Sequence, residues 1–208
     1  MEMSIRLFEN FFEEINWFTD VLSKIYNTKD VTLRTKREIH EAYVLKIQVT
    51  WEIFAENLLV QCLKLNTSQY AEYKDIKLSK RLSTDVCRAL ISGIEYFNVK
   101  GADHLKKIAK TILAPSCNPF KEIPSDISRK INEFYIFRNY IAHQSQKAKR
   151  SLSKIYTDVY DIIGKFPSPG EVLLTKVPTM KEQIFFADYI NSFIAAAHTI
   201  KHFMEPIA

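Results

Sequence analysis

Apolar residues recur at three- and four-residue steps through most of the chain, the signature of amphipathic helices. Ile5, Phe8, Phe12, Ile15, Phe18 and Leu22 set this rhythm over 4–26, and Thr28 to Asp30 interrupt it. The longest helical pattern spans 32–66. It begins with the charged stretch LRTKREIHE and from Val44 onward is apolar on most sides (Leu45, Ile47, Val49, Trp51, Ile53, Phe54, Leu58, Leu59). A helix apolar nearly all round belongs at the centre of a bundle. Residues 67–78 are polar and read as a loop. The spacing of Leu82, Val86, Leu90 and Ile94 predicts a helix over 79–98, and Gly101 opens a shorter one over 102–113. The stretch APSCNPFKEIP carries three prolines and reads as irregular. Ser125 is placed to cap the next helix, with Asp126 in its first turn. That helix runs at least to Ser145, and the 148–163 pattern either continues it or follows a kink. PSPG at 167–170 reads as a turn, LLTKV at 173–177 as a short extended piece, and 179–204 as the closing helix.

This pattern predicts an all-α fold: one domain over 1–208, a bundle of about six or seven helices, with no repeat and no interdomain linker. The length of 208 residues suits a single domain with a sizeable core. Only 4 glycines occur, and neither GxGxxG nor GxxxxGK[ST] is present, so glycine-rich phosphate cradles are excluded. The net charge of +5 is compatible with an acidic partner and equally with none. The 3 cysteines have no CxxC spacing, which argues against a disulfide framework or a zinc site and for a reducing compartment. The first residues are acidic and lack a compact apolar run, unlike a signal peptide, and no 18-residue apolar stretch occurs. The expectation is a cytoplasmic protein with no membrane partner and no cofactor.

The stretch INEFYIFRNYIAHQS, 131–145, stands out. A strongly aromatic helix there carries Arg138, Asn139 and His143 within six residues. A guanidinium fork suits a phosphate, and an imidazole moves protons near neutral pH. Together they suffice for transesterification at an RNA phosphate, the histidine handling the proton and the arginine the developing charge. Asn139 and His143 are four apart on one face, so the amide can orient the ring. Arg138 and His143 lie about 140° apart on an ideal helix. A site using both requires a kink or a second surface. Spacing alone is a weak signal: Arg34 and His40 make a looser pair on the charged start of the second helix, read as a solvated face.

RNYIAH resembles the R-[N/H/D]-x-x-x-H form of the R-x4-6-H motif of the HEPN superfamily. These are all-α bundles, many of them metal-independent ribonucleases of toxin–antitoxin, phage-defence and CRISPR systems. The resemblance covers these six residues and the general helical layout. It implies that Arg138 and His143 are catalytic with Asn139 in support, that RNA is the substrate, and that two chains pair around one cleft. Cleavage by the RNA 2′-hydroxyl would leave a 2′,3′-cyclic phosphate and a 5′-hydroxyl. The basic residues Lys147, Lys149, Arg150 and Lys154 suit RNA binding. Members often place a polar residue on the second long helix. Glu56 is preferred here over Glu52, although with Gln48 both could simply form that helix's wet face. A free ribonuclease would also need an antitoxin or other regulatory partner.

A helical RNA- or nucleotide-binding or dimerisation module without catalysis is the alternative. A plain adaptor with a buried Arg–His pair is a third reading, separable by whether Arg138 and His143 reach solvent. His198 and His202 have metal-binding spacing but no carboxylate beside them, and read as a surface pair, as does His104 in its lysine-rich surroundings. Tyr135 and Tyr140 read as core or interface. Glu13–Glu14 and Asp158/Asp161 lack the partners of a two-metal nuclease.

Overall fold

The computed structural model describes residues 2–93, 99–178 and 183–205, with side chains from residue 5 onward. Nine α-helices lie among them: α1 Glu2–Asn27, α2 Leu33–Leu65, α3 Ser68–Lys74, α4 Thr84–Ser92, α5 Ala102–Ile112, α6 Ser125–His143, α7 Gln146–Tyr160, α8 Pro169–Leu173 and α9 Phe185–Met204. The fold is all-α, as the periodicity requires. The count exceeds six or seven because α3 and α8 are too short to carry a full apolar period. The predicted helical extents at 94–98 and 179–182 lie outside the described residues.

The central position expected of α2 holds. It packs against α1, α4, α5, α6, α8 and α9. Trp51, Phe54, Leu58 and Leu59 lose nearly all solvent contact, and the core they anchor draws on all nine helices. Rings connect its layers, edge-on from Trp51 to Phe193 at 5.4 Å and from Phe193 to Phe134 at 5.1 Å, and tilted from Phe134 to Tyr189 at 5.7 Å.

Local chemistry sets several boundaries. Thr32 caps α2 by accepting from the Thr35 amide, and Ser83 caps α4 through Val86. The predicted cap at Ser125 is not one. Pro124 occupies the N-cap and makes no side-chain bond, and Ser125 is already helical, while Asp126 does sit in the first turn. α5 is capped from another helix: Asn132 of α6 accepts from the Asp103 amide at 3.2 Å and donates to its carboxylate at 2.7 Å. The chain reaches that cap through Gly101 at φ 85°, and a Cβ there would lie 2.5 Å from Asn132 Oδ1. Only glycine takes both the backbone angle and the close approach.

Three further expectations change. The polar 67–78 stretch contains α3, held by buried Tyr70, whose hydroxyl donates to the Leu90 carbonyl at 3.1 Å. PSPG does not end as a turn but opens α8. Ser168 caps it, and the Gly170 amide donates to Glu41 at 2.7 Å, drawing α8 onto α2. The extended piece at 173–177 shrinks to one antiparallel bridge between Lys176 and Ile184, because Leu173 still belongs to α8.

Candidate functional site

Arg138, Asn139 and His143 sit in the last two turns of α6, whose opposite side is anchored in the core. Ile131, Phe134 and Phe137 are fully buried. Glu133 is also buried, its carboxylate taking Arg129 Nη1 at 2.6 Å and the Tyr189 hydroxyl at 2.9 Å. Tyr189 in turn meets the Tyr160 hydroxyl at 2.5 Å. Lys130 pairs with Asp188 of α9 at 2.7 Å. These bonds fix the roll of α6 about its axis and hence which residues face outward.

The outward residues include the motif. His143 is exposed, and Arg138 and Asn139 are half-buried. Among the described residues Arg138 and His143 make no hydrogen bond and no ion pair, and no bond joins Asn139 to His143. A buried Arg–His pair is therefore not present. The helix is continuous through His143, so the angular separation of about 140° between Arg138 and His143 stands. Gln144 at φ 46° closes α6, and Ser145 caps α7 through the Ala148 amide at 3.2 Å. This left-handed residue and cap decide the question the sequence left open: α7 is a separate helix, not a continuation.

That break swings the basic residues beside the motif. Lys147, Lys149, Arg150 and Lys154 are all exposed on α7. Phe166 links the two helices: its ring meets Tyr140 edge-on at 5.2 Å, and the Lys149 ammonium lies 4.9 Å from its centroid. Three rings of α6 are thus covered within the chain. Phe134 packs on Phe193, Phe137 on Tyr156, and Tyr140 on Phe166. Tyr135 and Ile141 of the same helix stay half-buried. Exposed apolar residues on the neighbouring α2 include Val49 and Ile53 in its middle, besides Leu33 and Leu65 at its ends.

Of the two candidate carboxylates of α2, Glu52 is the one with a Coulombic effect on Tyr135, three residues before Arg138. Burial pushes the Tyr135 phenol up, Arg138 opposes that rise, and Glu52 adds to it, which places all three within Coulombic reach. Glu56 has no such coupling to Tyr135. Glu52 also accepts from Gln48 Nε2 at 3.0 Å, while Gln48 Oε1 is buried without a partner among the described residues. The sequence places Gln48, Glu52 and Glu56 on one stripe and prefers Glu56 among them.

The comparisons with known proteins come out empty. No family model, no curated protein and no solved structure matches this chain.

Elsewhere, His198 and His202 are exposed, His198 stacking on Phe12 at 4.4 Å. His104 is half-buried rather than solvated, with Nδ1 accepting from the Lys100 amide at 3.2 Å. Among the described residues no three His, Cys, Asp or Glu side chains converge as a metal ligand set, and no helix is long and apolar enough to cross a membrane. All three cysteines are buried and free, and burial pushes the Cys62 and Cys87 thiols up, away from the reactive thiolate.

The clearest correction concerns His40. Arg34 is solvated and pairs with Glu38, but His40 is only 1% exposed. Its Nδ1 faces the Lys36 carbonyl at 2.7 Å, and Phe186 meets its ring edge-on at 5.1 Å. The available signal was its spacing from Val44, Ile47 and Trp51, which continues the core stripe of α2 by one turn beyond the charged segment.

Proposed function

We propose that the chain is a metal-independent endoribonuclease of HEPN type, acting as a toxin or phage-defence effector. The observation that carries this reading is the presentation of Arg138 and His143. Both reach solvent with polar atoms uncommitted among the described residues, at the junction with a helix that exposes four basic side chains. An uncommitted guanidinium can take a scissile phosphate by a bidentate contact, and an accessible imidazole can exchange a proton with the 2′-hydroxyl or the leaving oxygen. Lys147, Lys149 and Arg150 would hold neighbouring phosphates. In this reading Glu52, rather than Glu56, is the carboxylate that acts beside the motif, through its Coulombic effect on Tyr135.

The angular separation of Arg138 and His143 asks for a second surface, which a homodimer would supply. Val49 and Ile53, 47% and 55% exposed and flanking Glu52, are the apolar residues placed to meet it. Light scattering of wild type beside Ile53→Glu tests this. A wild type that is monomeric and fully active removes the dimer from the mechanism.

The decisive experiment incubates purified protein with mixed cellular RNA in EDTA. Cleavage to 2′,3′-cyclic phosphate ends by wild type, lost in both Arg138→Ala and His143→Ala, is the expected outcome. Cleavage that needs added magnesium or manganese overturns the mechanism. One observation favours a second reading, RNA binding without catalysis: no hydrogen bond holds His143 by Asn139 among the described residues. Wild type that retains RNA in a gel-shift assay but never cleaves it would establish that reading.

A further inference from the structure

Away from α6, a cavity of about 730 Å³ opens between α1, the start of α2, the Lys176–Ile184 bridge and the start of α9. Its size lies within the range of small-molecule sites. Leu22, Ile184, Phe186 and Ile190 supply apolar lining, and Tyr26 adds a ring. No residue of α6 contributes, so the cavity is independent of the proposed ribonuclease site.

Its distinctive group is His40, 1% exposed and part of the lining. Since Nδ1 faces a carbonyl oxygen, that nitrogen carries the proton, and Nε2 is left as a bare lone pair. Among the described residues nothing donates to Nε2. Burial also pushes the imidazole below its ordinary value, which keeps Nε2 unprotonated at neutral pH. Nε2 is not among the sealed polar atoms, so it can meet an occupant of the cavity, and an occupant that displaces water there without donating leaves it unsatisfied. Lys176 supplies the second polar feature. Its ammonium is exposed, makes no ion pair among the described residues, and no described Asp or Glu lines the cavity to neutralise it.

We infer that this cavity binds a small aromatic anion carrying one N–H or O–H donor, with the donor on Nε2 of His40, the ring against Phe186 and the anionic group on Lys176. The three features demand different parts of one ligand. An apolar body alone would leave Nε2 unsatisfied, and an anion alone would leave the apolar walls wet.

The test uses indole-3-acetate, which has all three parts, in titration calorimetry against the full chain. Naphthalene-1-acetate lacks the N–H, and indole-3-ethanol lacks the charge. Indole-3-acetate is expected to bind, with each deleted group weakening affinity about tenfold. Lys176→Ala, an exposed substitution, is expected to weaken indole-3-acetate and leave indole-3-ethanol unchanged. His40→Phe, checked for folding by circular dichroism, is expected to abolish the preference for indole-3-acetate over naphthalene-1-acetate. If that variant does not fold, the two probes on wild type still report the same contact. Equal affinity for all three probes, no binding of indole-3-acetate at about 5 mM, or binding unaffected by Lys176→Ala overturns the inference. The readout is binding, so absence of RNA cleavage leaves the result intact.

Discussion

Tyr189→Phe removes one oxygen from the core and changes almost nothing else in shape, so its cost reads the polar network that fixes α6. The hydroxyl donates to Glu133 Oε2 at 2.9 Å and contacts the Tyr160 hydroxyl at 2.5 Å. Glu133 has a second bond, from Arg129 at 2.6 Å, and its side chain is 9% exposed. Water therefore cannot easily replace the lost donor. A hydrogen bond to a buried charged group contributes about 1.5–3 kcal/mol, and the neighbouring Tyr160 hydroxyl loses a partner as well. Together these set an expected loss of about 2–3 kcal/mol, with no cavity contribution because the ring remains. For a chain of this length that lowers Tm by about 5–10 °C. Scanning calorimetry of wild type, Tyr189→Phe, Glu133→Gln and the double variant gives the coupling, expected to exceed about 1 kcal/mol. The alkaline limb gives an independent reading. Burial pushes both Tyr189 and Tyr160 above the ordinary value of 10.0, with Glu133 adding to the rise in each. A group whose value is higher in the folded state contributes stability that is fully present below pH 10.0 and is lost as pH rises toward the folded value. Tyr189→Phe should flatten that alkaline loss. A variant that melts within about 1 °C of wild type, or a cycle with zero coupling, would refute the claim that this network holds α6.

Three other outcomes are expected. Gly101→Ala should lose about 2–3 kcal/mol, because alanine strains at φ 85° and its Cβ displaces the Asn132 cap of α5; urea unfolding measures it, and an unchanged midpoint contradicts the cap geometry. His40 is held below its ordinary value of 6.5 by burial, so its contribution is present above pH 6.5 and lost as pH falls from there toward the folded value; urea midpoints across that interval should decline in wild type and decline less in His40→Phe. Arg138→Lys and His143→Ala should each stay within about 0.5 kcal/mol of wild type by the same assay, since neither side chain is bonded among the described residues; under the proposed mechanism both lose RNA cleavage, the first because a point charge cannot replace a fork and the second because no imidazole is left to move the proton. A parallel fall in Tm and cleavage would assign the pair a structural role.

Much of this molecule is legible from spacing alone. A period of 3.6 with few glycines allows little besides helices, and the ends of α1, α2, α5 and α6 fall within two residues of their expected positions. The same spacing put Arg138, Asn139 and His143 near the end of one helix. It could not show α3, where SQYAEYK has no apolar period and Tyr70 holds the turn by reaching Leu90 of α4. Nor could it separate α6 from α7, since Gln144 adopts a left-handed angle without being glycine. Periodicity states which face of a helix is apolar, but not which neighbour covers it. That is why Tyr140 reads from the sequence only as core or interface, and Phe166 decides that it packs within the chain. It is also why a histidine in a charged segment read as solvated until Phe186 of α9 closed over it. Local pattern determines the elements because its forces act within a few residues. Burial, pairing and cavities belong to the tertiary structure, because each depends on surfaces that meet only when the chain is folded.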